Sequence, residues 1–346
     1  MRIGIICGKD DEEHLDKNFN KKIPSKYKIN GKVHTDIALA FIMKQSFPEH
    51  TIDIILPQEI SSARLQRNSI NIPIGYDVIN AINDDPFIKK FSGKVGIDRL
   101  DKIYGSKKNK IFPSYEFMEF LWDKKKYLER LHKHKIPVTP SIFVKDNVKH
   151  TKLIDQIKRY KWKKFIIKPI GGTIAYGLGI FELKDCLSNP NLLKEYFEEN
   201  NKYYERYIVQ EKIEGFGVYG EIKSFWINGK FSYAVNTPGA KSPDDSYVVK
   251  EIIDPKIKEH IIKVGSKVIE ALPKINFNRK RVIPAMVRID FTCCLKNKKY
   301  SPNNFFVNEI ESDIAGTYIN FPNVKYPMLH VLADAYIKKI QEVGLK

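Results

Sequence analysis

Two stretches of this chain hold residues whose types and spacing suit work on a phosphate. In KFIIKPIGGTIAYGLGIF, residues 164–181, a strand-like run ends near Lys168. A loop with Gly171, Gly172, Gly177 and Gly179 follows before strand character resumes. Such a loop lets backbone N–H groups approach an anion with no Cβ in the way. The lysine adds a point charge for phosphate oxygens. No Gly-Lys-Ser/Thr closes the loop and no helix opens at its last glycine, so it is neither a Walker A nor a Rossmann loop. A plain glycine hairpin beside an exposed lysine is the competing reading. In the second stretch, Arg288 and Asp290 precede Glu309 and Glu311. Residues two apart on a strand share a face, so if the two strands pair, three carboxylates and one guanidinium converge. Crowded carboxylates call for a cation, and Mg²⁺ favours oxygen ligands that it can share with substrate phosphates. The competing reading is a surface hairpin with a salt bridge.

Two weaker signals lie elsewhere. Tyr207 to Ile213 is an apolar run turning polar at Gln210, Glu211 and Lys212, with Glu221 and Lys223 beyond it. It suits an adenine slot in which backbone amides read the base and a carboxylate holds the ribose. Trp122-Asp123-Lys124 sits in the middle of a helical pattern, where a lone lysine is ordinarily solvated. No G-x-S-x-G and no Cys/His pair offers a nucleophile, and the four cysteines (Cys7, Cys186, Cys293, Cys294) lack zinc spacing and read as reduced packing thiols.

The elements that must position these residues read as follows. Arg2 to Cys7 is a strand, Gly8 to Val33 a long loop, Thr35 or Asp36 the cap of a helix to Phe47, and Thr51 to Leu56 a second strand. This order fits a parallel α/β layer. Residues 58–105 mix helix and loop. Phe117, Phe120, Leu121, Leu128 and Leu131 recur near helical spacing from Ser114 until Ile136-Pro137. Strands are expected at 141–144, 164–169, 178–183, 207–212, 219–227, 230–235, 285–295 and 304–310, and helices at 149–161, 191–200, 256–272 and 324–343. Asn228-Gly229 marks a hairpin. Cuts near Pro113 and Asn201 give an N-terminal α/β domain (1–113), a small central subdomain (114–201) and a C-terminal subdomain with the metal site (202–346).

The chain has 346 residues, 42% of them apolar and 29% charged, which fits globular domains and excludes extended disorder. Its longest apolar run, Ile37 to Met43, is far short of the ~20 residues of a membrane span, and no secretory leader precedes it, so a cytoplasmic location is the expectation. The net charge of +18 favours anionic partners. However, arginine, the usual reader of base edges, is scarce and the lysines are spread out, which weighs against nucleic acid.

In order, the Asp-Lys helix leading to IPVTP, the IIKP strand with its glycine loop, VQEKIEG, GEIKSFWINGK, VRID and NEIES resemble the ATP-grasp superfamily of carboxylate–amine ligases. The resemblance spans residues ~115 to 320, and the D-alanine–D-alanine ligase and bacterial glutathione synthetase branches look nearest. It implies an α/β (α+β) ATP-grasp fold: a parallel N-terminal domain and two subdomains clasping ATP. It also implies ATP and Mg²⁺ (or Mn²⁺) as cofactors and an amino acid or peptide as substrate, leaving oligomeric state open. On this resemblance Lys124 and Lys168 contact ATP phosphates, and Gly171, Gly172 and Gly177 belong to the loop over them. Gln210, Glu211, Lys212 and Ile213 form the adenine hinge, with Glu221 as the ribose-side acid. Asp290, Glu309 and Glu311 hold the metal, and Arg288 stabilises the tetrahedral intermediate. IGIICGKDDEEH faintly resembles the start of D-alanine ligases, making Glu13 a substrate-side candidate. Lys223 stands where glutathione synthetases carry an arginine, and Glu311 where the usual E-x-N pattern has asparagine. The segment after Glu311 departs from the family, so substrate identity does not carry over. A kinase or acid–thiol ligase on the same fold, and a non-catalytic nucleotide or nucleic-acid binder, remain the alternatives.

Overall fold

The computed structural model describes residues 1–8, 12–56, 59–74, 102–170, 177–237, 249–294, 301–312, 317–318 and 327–345. Gly171 and Gly172 of the expected phosphate-binding loop lie outside them.

Three strands near the N-terminus form a parallel sheet: β1 (Arg2–Ile6), β2 (Thr51–Ile55) and β3 (Ile70–Pro73), in the order β2-β1-β3. A helix, Thr35–Ser46, joins β1's side of the layer to β2, and its residues 35–43 are all buried. Its cap is His34, with no side-chain capping bond, rather than Thr35 or Asp36. Asp36 instead accepts from the Gly8 and Ile37 backbone N–H groups at 2.8 Å each. The expected loop from Gly8 to Val33 holds a short helix, Lys17–Lys21, capped by Asp16.

The expected continuous helix from Ser114 is two helices, Tyr115–Trp122 and Lys124–Lys133. Asp123 breaks it: its backbone leaves helical geometry and its carboxylate accepts from the Lys125 and Lys126 N–H groups at 3.1 and 3.2 Å. Lys124 is therefore at the start of a helix, not its middle. Phe117, Leu121, Leu128 and Leu131 nevertheless face one shared core, because both helices pack on it.

A four-stranded antiparallel sheet follows, in the order β4-β7-β5-β6, built from β4 (Ser141–Lys145), β5 (Lys164–Pro169), β6 (Gly179–Glu182) and β7 (Arg206–Glu211). It has its own core, drawn from residues 142–209 and including Trp162, Phe165, Phe197 and Tyr207. A boundary at Asn201 would cut this sheet, because β7 lies between β4 and β5.

The last large sheet runs β10-β9-β8-β13-β14: β8 (Glu221–Ile227), β9 (Lys230–Thr237), β10 (Lys250–Glu251), β13 (Met286–Cys293) and β14 (Phe305–Glu311), with the separate hairpin β11 (Ile275–Phe277) and β12 (Lys280–Val282) between. Asn228 and Gly229 both have positive φ, 49° and 75°, as the two-residue turn between β8 and β9 requires. Strand β13 is buried throughout, although Arg288, Asp290 and Thr292 alternate along it with Val287, Ile289 and Phe291. The helices Pro255–Ala271 and Met328–Glu342 supply further apolar faces to the same core. Among the described residues no helix is long and apolar enough to cross a membrane.

Asp123 also pairs with Arg206 of β7 at 2.8 Å, tying the Lys124 helix to the four-stranded sheet. Asp123→Ala removes cap and ion pair together. We expect it to lower unfolding free energy by about 1–2 kcal/mol, read as a lower midpoint in urea with an unchanged slope.

Candidate active site

The site is built on one face of β8, β13 and β14. Strand β13 pairs antiparallel with both neighbours, placing Arg288 opposite Glu311, and Asp290 opposite Glu309 on one side and Lys223 on the other. Alternation then sends Val287, Ile289 and Phe291 to the opposite face, where they are buried. The register between β13 and β14 shifts after Asp290, leaving Asn308 as the extra residue of a bulge. Its side chain donates to Glu221 Oε1 at 2.8 Å, which shows how a bulge re-aims a side chain toward a site.

Four carboxylates and four cations meet here. Arg288 donates from Nε to Asp290 Oδ1 at 2.8 Å and from Nη2 to Asp290 Oδ2 at 3.0 Å, and Nη2 also pairs with Glu311 Oε2 at 2.7 Å. Lys223 Nζ bridges Asp290 Oδ2 at 2.8 Å and Glu221 Oε2 at 2.7 Å. Lys124 Nζ reaches Glu309 Oε1 at 2.5 Å. Lys168, half-buried at the end of β5, comes within electrostatic range of Glu309 and Glu221 and repels Lys124. The four-stranded sheet and the large sheet thus contribute to one charged cluster.

The ionisation behaviour follows from this crowding. Burial alone would raise the Glu309 carboxyl, but Lys124 and then Lys168 outweigh it and draw it down to about 2. Glu221 goes the other way: burial raises it, and Lys223 only partly compensates. Burial also lowers Lys168, against the pull of Glu309. For Lys124, burial is outweighed by Glu309, so it is held above its ordinary value. Arg288 is likewise raised, Asp290 and Glu311 overcoming its burial.

The donor set suits a hard divalent cation. Asp290, Glu309 and Glu311 each offer an oxygen, and these atoms lie within 4.8 Å of one another. Beside them, Tyr127 is 1% exposed and its hydroxyl has no hydrogen-bond partner among the described residues. Burial, then the charges of Glu309, Glu311, Asp290 and Glu221, raise its ionisation far above normal. A buried hydroxyl left unpaired beside carboxylates fits a group that water or an ion would complete.

The other expected residues fall differently. Gln210 is buried and donates from Nε2 to Ser141 Oγ at 2.9 Å, so its side chain fastens the four-stranded sheet. Glu211 is half-buried, which raises its carboxyl; Lys212 is exposed, with its N–H bonded to the Lys164 carbonyl at 3.0 Å; Ile213 is half-buried. Gly177 has φ +67°, and a Cβ there would stand 2.8 Å from the Pro169 ring, so only glycine fits. Glu221, expected on the ribose side, joins the charged cluster. Glu13 pairs with Lys32 at 2.8 Å. Among the described residues it is the adjacent Glu12 that reaches the segment beyond β14, accepting from Thr317 N–H at 3.1 Å and Oγ1 at 2.6 Å. Sequence reasoning missed Tyr127, Asn308 and Glu12. Only Tyr127 carried a signal, standing one turn after Lys124.

Glu309 ionises lower in the folded chain than in the unfolded one. Its contribution to stability is therefore complete above about pH 4.5 and lost as pH falls toward 2. We expect Glu309→Gln to lower stability at pH 7 yet flatten the acid limb of the stability curve. Urea midpoints at pH 7, 4 and 3 check this; parallel curves for both proteins would refute it.

No family model matches the chain, and no curated protein matches it. Solved structures do. D-cycloserine synthetase DcsG superposes with a TM-score of 0.65 at 13% identity, over 98% of this chain and 100% of its own. D-alanine–D-alanine ligase from Bacillus anthracis, complexed with ATP, gives 0.59 at 17% identity, over 99% and 98%. The ATP-grasp ligase PsnB, complexed with a minimal precursor, gives 0.56 at 12% identity, over 97% and 98%. At such identities the likeness speaks for architecture, and it runs from one end of the sequence to the other: the chain has the ATP-grasp fold.

Proposed function

We propose that this protein is an ATP-dependent ligase that joins the carboxylate of an amino acid or peptide to an amine through an acyl phosphate. The observation that carries the reading is the meeting of Lys168, from one sheet, and Lys124, from a helix, with Arg288 and three carboxylates on another sheet. The neighbours support it: one similar ligase was solved with ATP and another with Mg and ADP.

In this reading Lys124 and Lys168 bind the triphosphate, and Glu211, Lys212 and Ile213 border the adenine. Gly177 ends the loop that covers the phosphates. Glu309 and Glu311, with Asp290 behind them, would hold Mg²⁺, which would supply positive charge to offset that of the transferring phosphoryl group. A carboxylate oxygen of the first substrate attacks the γ-phosphorus, and the bond to the leaving ADP oxygen breaks. The amine of the second substrate then attacks the acyl carbon, loses a proton, and inorganic phosphate leaves. Such transfer needs positioning and charge neutralisation rather than a protein nucleophile. Arg288 faces the oxyanion of the tetrahedral intermediate. Asp290 holds the guanidinium in place through two hydrogen bonds.

A screen of amino-acid and small-peptide pairs with Mg²⁺ and ATP should find ADP release that depends on the pair. Hydroxylamine should trap the acyl phosphate as a hydroxamate. ADP release with phosphate moved to a hydroxyl and no hydroxamate would make the protein a kinase. Arg288→Ala should lower turnover by ~10²–10³ while ATP binding survives; unchanged turnover would remove Arg288 from the chemistry.

A further inference from the structure

We propose that the acidic cluster takes a single divalent cation, because the ammonium of Lys223 is its fixed second cation. The inference rests on the nucleotide-binding reading above and specifies how that site is filled.

Phosphoryl-transfer sites often clamp the phosphate between two metal ions about 3.5–4 Å apart. Two ions need two sets of carboxylate oxygens, and the cluster divides into two unlike halves. On the β8 and β13 side, Lys223 Nζ lies 2.8 Å from Asp290 Oδ2 and 2.7 Å from Glu221 Oε2, the bridging position that an ion would take. Asp290 also accepts Arg288 Nε on Oδ1 and Arg288 Nη2 on Oδ2. A carboxylate has about four lone-pair sites, and three of those on Asp290 are taken by cations. Its side chain is 1% exposed and that of Lys223 is 10% exposed, so neither has water to turn to. An ion entering this half would have to expel an ammonium into a buried site that already holds a guanidinium.

The β14 half is different. Glu309 and Glu311 have side chains 26% and 21% exposed, so this half is open to solvent. Glu309 pairs with Lys124, and Glu311 with Arg288. The buried, unpartnered hydroxyl of Tyr127 stands beside this half. An ion here takes oxygens from Glu309 and Glu311 and completes its shell with phosphate and water, as Mg²⁺ habitually does. The extra carboxylate at position 311 then has a reason. One ion held by two glutamates and no asparagine keeps the charge that a second ion's ligands would otherwise have shared. Asp290 becomes the buried anchor of Arg288 and Lys223 rather than a principal ligand.

The test counts ions on the full chain. With a non-hydrolysable ATP analogue at saturation, the loss of free Mn²⁺ signal in electron paramagnetic resonance should give one Mn²⁺ per chain. Lys223→Met, which removes the charge, should give two; Lys223→Arg, which keeps it, should give one. Two ions on the wild-type protein would overturn the inference and leave the ligase reading standing. One ion on both wild type and a folded Lys223→Met would also overturn it. Absence of any nucleotide-dependent Mn²⁺ binding would overturn both. Should Lys223→Met fail to fold, the wild-type count decides alone.

Discussion

Four carboxylates cannot share one largely buried sheet face unless cations stand among them. Two unit charges 4 Å apart interact by about 4 kcal/mol even at an effective dielectric constant of 20. Glu221, Asp290, Glu309 and Glu311 are therefore held together only because Lys124, Lys168, Lys223 and Arg288 come with them. These cations arrive from three places. Arg288 and Lys223 belong to the same sheet as the acids, Lys124 opens a helix, and Lys168 ends a strand of another sheet. The arrangement of the last three-fifths of the chain is constrained by that meeting.

The constraint shows in local features that make little sense alone. Three lysines, Lys124 to Lys126, open a helix whose N-terminal dipole favours acidic residues. Lys124 gains Glu309 in exchange, and Asp123 caps the turn with a charge of the favourable sign. The Asp123–Arg206 pair fixes this helix end to β7, and the Val307 N–H bonds to the Pro137 carbonyl at 2.9 Å, so the connection leaving the same helix runs against β14. Helix, linker and acidic strand are thereby set relative to one another within a few residues of the cluster. The bulge at Asn308 belongs to the same set, since a regular register would turn that side chain into the apolar core.

What the sequence showed and what it hid can be explained by the same physics. The pairing of the Arg288 and Glu309 strands was legible because period two fixes which residues share a face. Lys168 was legible from the glycines after it. The break at Asp123 was hidden because Phe117, Leu121, Leu128 and Leu131 keep facing one core across it, so the apolar period continues although the helix does not. Gln210 drew notice because an apolar run turns polar there, and nothing in a two-sided buried strand says that its side chain turns to Ser141. The return of β7 into the preceding sheet is a long-range pairing with no local mark, which is why a boundary near Asn201 cuts that sheet. Glu12 and Glu13 are adjacent acids in a polar stretch; only tertiary contact with Thr317 separates them.

Among the described residues, the acids and cations of the cluster match in number, and this bears on the +18 charge of the whole chain. The basic surface creates a general field for anions, but the cluster itself, being balanced, gives a triphosphate little reason to settle there. On the ligase reading, a divalent ion changes that, turning a neutral patch into one with two positive charges to spare. Metal and nucleotide then depend on each other for affinity. The lowered ionisation of Glu309 keeps its carboxylate charged throughout the physiological range, so neither proton nor pH competes with the ion for it.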